Sequence, residues 1–162
     1  MISVGQKLPL GMALNILQDN VEKEVKLSEL LTRPTIISVY MRNNTGGCDK
    51  QNASLAKQAK AFARAGYNLV AVSRDTISSH RKYAAKLGIS YTLVSDPEDV
   101  FARATDSVIE KSMYGRKFFG PARAAYVLNR DGTVLARVEK VDTADHAAQL
   151  QAMLATLPKV QA

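Results

Sequence analysis

The sequence predicts an α/β fold, a mixed central sheet flanked by helices on both faces, and three features point to it. Apolar, β-branched runs alternate with segments of helical period over the first two thirds of the chain. A turn signal near residue 130 separates two further strand-like runs, and an alanine- and leucine-rich stretch follows them. With 162 residues, 46% of them apolar, the chain is long enough to bury a sizeable core, and no repeat, low-complexity tract or linker divides it. The expectation is one domain over residues 1–162.

Thr35 to Met41 (TIISVYM) reads as a buried central strand after Pro34. Arg42 to Gly47 (RNNTGG) is polar and glycine-bearing, hence a turn, and a helix is expected from about Cys48 to Ala65. Within it Leu55, Ala59 and Phe62 form the buried stripe, Lys57, Lys60 and Arg64 line another face, and Gly66 ends it. Tyr67 to Ser73 is the next strand, followed by a helix capped by Asp75 or Thr76, with His80, Tyr83, Ala84 and Leu87 on one face before Gly88. Tyr91 to Val94 is a short strand stopped by Ser95, Asp96 and Pro97, and that proline begins a short helix over Glu98 to Ala104. Residues 105–120 show no clear period. Ala124 to Leu128 and Thr133 to Glu139 flank Asn129-Arg130-Asp131-Gly132 as a hairpin, and a helix from Asp142 to Leu157 closes at Pro158. Parallel crossovers followed by an antiparallel ending match a thioredoxin-like α/β sandwich.

Composition removes several function classes. The balance of 22 Lys and Arg against 15 Asp and Glu gives a net charge of +7, which serves solubility before it argues for a nucleic-acid partner. The cations Lys57, Lys60 and Arg64 read as a solvated helix face. One cysteine, Cys48, excludes an intrachain disulfide or a cysteine-cluster zinc site and suits a reducing compartment. Pro9, Gly11 and Asn15 interrupt the first residues, so no signal peptide is read there, no run reaches a membrane span, and a cytoplasmic location is expected. His80 and His146 lack ligand spacing and are read as packing or surface residues, so no metal is assigned. Gly46-Gly47 lacks the spacing of a phosphate-binding loop.

Cys48 is the residue with chemistry to explain. Free cysteine is commonly a small buried hydrophobe, but this one stands where a strand hands over to a helix, and the unpaired amides of a first helical turn favour a thiolate. A thiol with a pKa near 8.5 is about 3% ionised at pH 7, and lowering that pKa to about 6 raises the ionised fraction about thirty-fold. Fast attack on a peroxide further needs donors aimed at the oxygen under attack and at the departing oxygen. The Gly47 segment supplies amides; Thr45, three residues before the cysteine, supplies a hydroxyl that could equally serve the turn. For a guanidinium the spacing leaves both Arg42 and Arg123 open.

Five motifs then carry a resemblance: T-x-x-C at Thr45 and Cys48, V-S-R-D-T-I-S-S-H-R-K at 72–82, V-S-D-P at 94–97, E-K-S-M-Y-G-R-K at 110–117 and R-A-A-Y-V-L-N-R-D-G at 123–132. In that order they resemble the peroxiredoxins, and within them the bacterioferritin comigratory protein (Q-type) branch. Residues 1–39 and 142–162 match in outline, as a first hairpin approaching V-K-L-S-E-L and a last helix.

The resemblance implies that Cys48 is the peroxidatic thiolate, that Thr45 hydrogen-bonds thiolate and peroxide, and that Arg123 steadies both. It implies reduction of hydrogen peroxide or organic hydroperoxides through a sulfenic acid, with no cofactor, and regeneration by thioredoxin, glutaredoxin or a small thiol. Prolines usual in the family are replaced by Met41 and Gly46, and the second cysteine that many members carry is Ala53, which makes the expected enzyme a one-cysteine variant dependent on an external thiol. A monomer or weak homodimer is expected. The rival expectation is a non-catalytic binding or scaffold protein on the same fold, whose Cys48 titrates as an ordinary thiol.

Overall fold

The computed structural model describes residues 1–158; the last four residues of the expected 1–162 unit lie outside the described residues. The main sheet has seven strands: β1 (Ala13–Gln18), β2 (Val21–Lys26), β3 (Thr35–Val39), β4 (Asn68–Ser73), β5 (Thr92–Ser95), β8 (Ala124–Leu128) and β9 (Val134–Val138). Their order is β2-β1-β5-β4-β3-β8-β9. The β3–β4 and β4–β5 pairs are parallel, whereas β1–β5, β3–β8 and β8–β9 are antiparallel, so the sheet is mixed as expected.

Side chains of β3 alternate between two cores. Ile37 and Val39 join the layer containing Leu27 and Leu30 of α1 (Leu27–Leu30) and Phe101 of α4 (Val100–Ala104). Ile36 and Tyr40 point to the opposite layer, with Leu55 and Phe62 of α2 (Gly46–Arg64), Ile77 and Tyr83 of α3 (Ile77–Leu87) and Leu150 of α5 (His146–Leu154). Helices therefore cover both faces, and the sheet's central strands are buried on both sides.

Several boundaries move for local reasons. α2 begins at Gly46, two residues before the expected start, with Thr45 extended at the N-cap (φ −123°, ψ 146°), which puts Cys48 inside the first turn. Thr76, not Asp75, caps α3 by accepting the Ser79 amide. The short helix starts at Val100 instead of Glu98: Asp96 accepts the amides of Val100 and Phe101, and Asp99 sits at φ 56° between them and the proline. α5 starts at His146 instead of Asp142: Asp145 caps it by accepting the Ala148 amide, while the Asp142 carboxylate accepts the Ala144 amide in the preceding turn.

Residues 105–120, without a period in the sequence, contain a separate antiparallel pair, β6 (Val108–Met113) and β7 (Arg116–Pro121), joined through Tyr114 and Gly115 at positive φ. Most of its side chains are exposed on both faces, so no apolar alternation marks it. The expected first hairpin is present, turning through Asp19 and Asn20 at φ 51° and 63°. In the late hairpin Gly132 has φ 87°, and a Cβ there would stand 2.9 Å from the Leu8 carbonyl oxygen, so only glycine fits. Among the described residues no helix is long and apolar enough to cross a membrane.

Candidate active site

The site forms where β3 ends. β3 lies between β4 and β8, and its last residue, Val39, is in register with Ala124 of β8. Arg123, the residue before Ala124, is thereby carried to the segment that leads into α2. The loop between strand and helix is anchored by Asn43, which is 4% exposed. Its amide donates to Asp75 Oδ2 (3.0 Å), its Oδ1 accepts the Tyr40 hydroxyl (2.6 Å), and its Nδ2 donates to Ser79 Oγ (3.0 Å) and faces His80 Nδ1 (3.2 Å). Asp75, proposed above as a cap, holds this loop instead, helped by the Ser73 hydroxyl at 2.6 Å.

Cys48 is the third residue of α2 and 1% exposed. Its sulfur lies 3.4 Å from Arg123 Nη2, while Arg123 Nη1 donates to Gln51 Oε1 at 2.6 Å. Burial, the largest influence, opposes ionisation of the thiol; the Thr45 hydroxyl, the backbone of Arg42 and Met41 and the Arg123 charge together outweigh it and hold the pKa below the ordinary thiol value. The Thr45 hydroxyl also donates to the Arg42 carbonyl at 2.8 Å. Its one proton serves either that oxygen or the sulfur, so forming a thiolate or binding an oxygen draws it between two acceptors.

Thr45 and Gly46 are exposed and Gly47 half-buried. A Cβ on Gly47 would stand 3.7 Å from Arg123 Nη2 and 3.9 Å from Thr143 Cγ2, so glycine keeps the space beside the guanidinium open. A second cation borders the site: Lys111 Nζ of β6 approaches Met41 Sδ at 2.6 Å, and burial, with Arg74 and Arg123 nearby, lowers its pKa. On the inner side Asn52 Nδ2 donates to the Cys48 carbonyl (3.1 Å) and the Tyr83 hydroxyl donates to Asp49 Oδ1 (2.8 Å), fixing the first turns of α2.

A thiol made acidic by amides, a hydroxyl and a guanidinium is a nucleophile suited to an electrophilic oxygen. The AhpC/TSA family model matches residues 4–137. The chain belongs to that family. Its relatives place it among the peroxiredoxins of the Bcp and Q type: it is 35% identical to peroxiredoxin Bcp of Xanthomonas campestris over 74% of each chain. It is 27% identical to peroxiredoxin Bcp of Bacillus subtilis, covering 91% of this chain and 92% of that one. A solved structure of the X. campestris bacterioferritin comigratory protein, from work on its alkyl peroxide reduction activity, superposes with a TM-score of 0.83. That match has 28% identity and covers 94% of this chain and 98% of the other.

In this peroxiredoxin the four residues singled out from sequence, Thr45, Gly47, Cys48 and Arg123, come together in one place. Between the two arginines left open by spacing, Arg123 brings its guanidinium to the sulfur, whereas Arg42 contributes backbone. Gln51 was missed, although three residues after Cys48 on a helix puts it on the same face. Ser38, a polar residue inside an apolar strand, was a second available signal. Among the described residues no cluster of His, Cys, Asp and Glu could hold a metal ion.

Proposed function

We propose that this peroxiredoxin is a one-cysteine thiol peroxidase acting at Cys48 on hydrogen peroxide and organic hydroperoxides. The observation that carries the reading is the 3.4 Å approach of Arg123 Nη2 to a sulfur already favoured as thiolate by Thr45 and the loop backbone. The thiolate attacks the terminal oxygen of the hydroperoxide; the S–O bond forms as the O–O bond breaks. The departing oxygen takes a proton and leaves as water or an alcohol, and Cys48 becomes a sulfenic acid. Arg123 and Thr45 donate to the oxygen that gains charge, and Gly47 leaves the room for it.

No second cysteine is present, so an external thiol completes the cycle. Its sulfur displaces water from the sulfenic acid to give a mixed disulfide, and a second thiol releases Cys48. Thioredoxin, glutaredoxin and low-molecular-weight thiols are the reductants this chemistry admits. The alkyl peroxide reduction named for the X. campestris relative supports the organic substrates. A cytoplasmic location, a monomer or weak homodimer, and residues 1–162 acting as one unit complete the proposal.

Treating reduced protein with one equivalent of hydrogen peroxide in the presence of dimedone tests it. An adduct at Cys48, absent from Cys48→Ser, is the expected result. No adduct at millimolar peroxide would overturn the reading and favour a binding role.

A further inference from the structure

A run of hydrogen bonds, buried around Ser38, leads away from the second terminal nitrogen of Arg123, and its polarity is fixed from both ends. A guanidinium only donates, so Gln51 turns Oε1 to Arg123 Nη1 and its Nε2 donates to Ser38 Oγ at 2.8 Å. At the far end the backbone sets Gln149: Nε2 donates to the Lys140 carbonyl (2.8 Å) and Oε1 accepts the Asp142 amide (2.9 Å). His146 Nδ1 lies 3.0 Å from that same Oε1 and therefore carries the imidazole proton. Burial disfavours the imidazolium, which leaves Nε2 as an acceptor 3.1 Å from Ser38 Oγ. The Ser38 hydroxyl consequently donates to His146 and accepts from Gln51.

Ser38, Gln51 and His146 are each 0% exposed and come from β3, α2 and α5. Three elements thus converge to orient one side-chain amide, and that amide's remaining partner is the guanidinium beside Cys48. Without the serine oxygen, Gln51 Nε2 keeps only the Val39 carbonyl at 3.4 Å, and the amide loses the shorter of the two bonds that hold it in place beside Arg123.

We propose that Ser38 and His146 are positioning residues which, through Gln51, hold the Arg123 guanidinium in line with the Cys48 sulfur. The role rests on the reading of Cys48 as the attacking thiolate, with Arg123 as its partner. The mechanism has no other use for a buried neutral histidine on the last helix, and the sequence alone marked His146 as a packing or surface residue.

The test uses Ser38→Ala, His146→Ala, the double variant and His146→Gln, whose amide oxygen can accept the Ser38 hydroxyl. Two readouts are taken on folded protein: the pH dependence of Cys48 alkylation by iodoacetamide, which needs no peroxidase activity, and single-turnover oxidation by hydrogen peroxide. Each alanine variant should slow oxidation about three- to ten-fold and move the alkylation inflection upward, the double variant being no worse than the more damaging single one. His146→Gln should return to within about two-fold of the parent, which a merely space-filling histidine would not require. If His146→Ala fails to fold, Ser38→Ala, which removes one oxygen, decides alone. An unchanged alkylation profile and oxidation rate in Ser38→Ala, or single effects that multiply in the double variant, overturn the proposal. A parent protein inert to peroxide overturns the peroxidase reading instead, while the alkylation profile of Ser38→Ala still tests the positioning.

Discussion

Arg123 Nη2 stands 3.4 Å from Cys48 Sγ across 75 residues of sequence, and the antiparallel pairing of β8 with β3 is what closes that distance. The contact gives a buried sulfur a fixed positive neighbour, and the second nitrogen of the same guanidinium is tied to Gln51. Two bonds from one planar group fix its orientation as well as its charge.

Replacing that group separates charge from geometry. Arg123→Ala is expected to lower the second-order rate of Cys48 oxidation by about 10²- to 10³-fold, the cost of one preorganised donor at a developing oxyanion. Arg123→Lys keeps a charge but cannot bond Gln51 and the sulfur in parallel, so it should recover only part of the loss. Stopped-flow oxidation with hydrogen peroxide reads both.

Thr45 is predicted to act through its hydroxyl and not through helix capping, since its side chain makes no cap bond to α2. Thr45→Val should slow oxidation about 10- to 100-fold, and Thr45→Ser should stay near the parent rate. The lost bond to the Arg42 carbonyl should cost about 1 kcal/mol in a denaturant titration of the valine variant.

The first-turn position of Gly46 makes a prediction about the missing family proline. Gly46 is the first residue of α2, where proline is well tolerated, and a Cβ built there meets nothing within 4 Å. Gly46→Pro should therefore raise stability by about 0.5–1 kcal/mol, mainly by restricting the unfolded chain, and should not slow oxidation. A loss of stability in thermal melts would mean that the loop needs the freedom of glycine.

The lowered thiol pKa also links stability to pH. The folded thiol titrates below the unfolded one, so its contribution is complete above the unfolded value and is lost as pH falls through the folded value. The stability advantage of the parent over Cys48→Ser should widen as pH is raised from the acid side into the ordinary thiol range. Denaturant midpoints measured in parallel check it, and a gap that narrows with rising pH contradicts the sign.

Much of this site is written in local sequence. A buried apolar strand, a glycine-bearing turn and a helix with Cys48 at its start put the amides and Thr45 within reach of the sulfur. Arg123 is different: its proximity depends on which strand β8 joins, which spacing cannot decide, and only the resemblance selected it over Arg42. The β6–β7 hairpin was not legible because strands outside the main sheet, exposed on both faces, carry no alternating apolar pattern. The chain from Gln51 to His146 was invisible for a related reason, since it links side chains on three elements whose contacts exist only after the layers pack.

Thr45, the loop backbone and Arg123 together hold the Cys48 thiol below its ordinary pKa. The most direct measurement is the rate of Cys48 alkylation by iodoacetamide against pH, in the parent and in Arg123→Ala. An inflection below the ordinary thiol range that moves upward in the variant is the predicted result. A parent inflection at the ordinary thiol value, unmoved by loss of the guanidinium, would contradict the account.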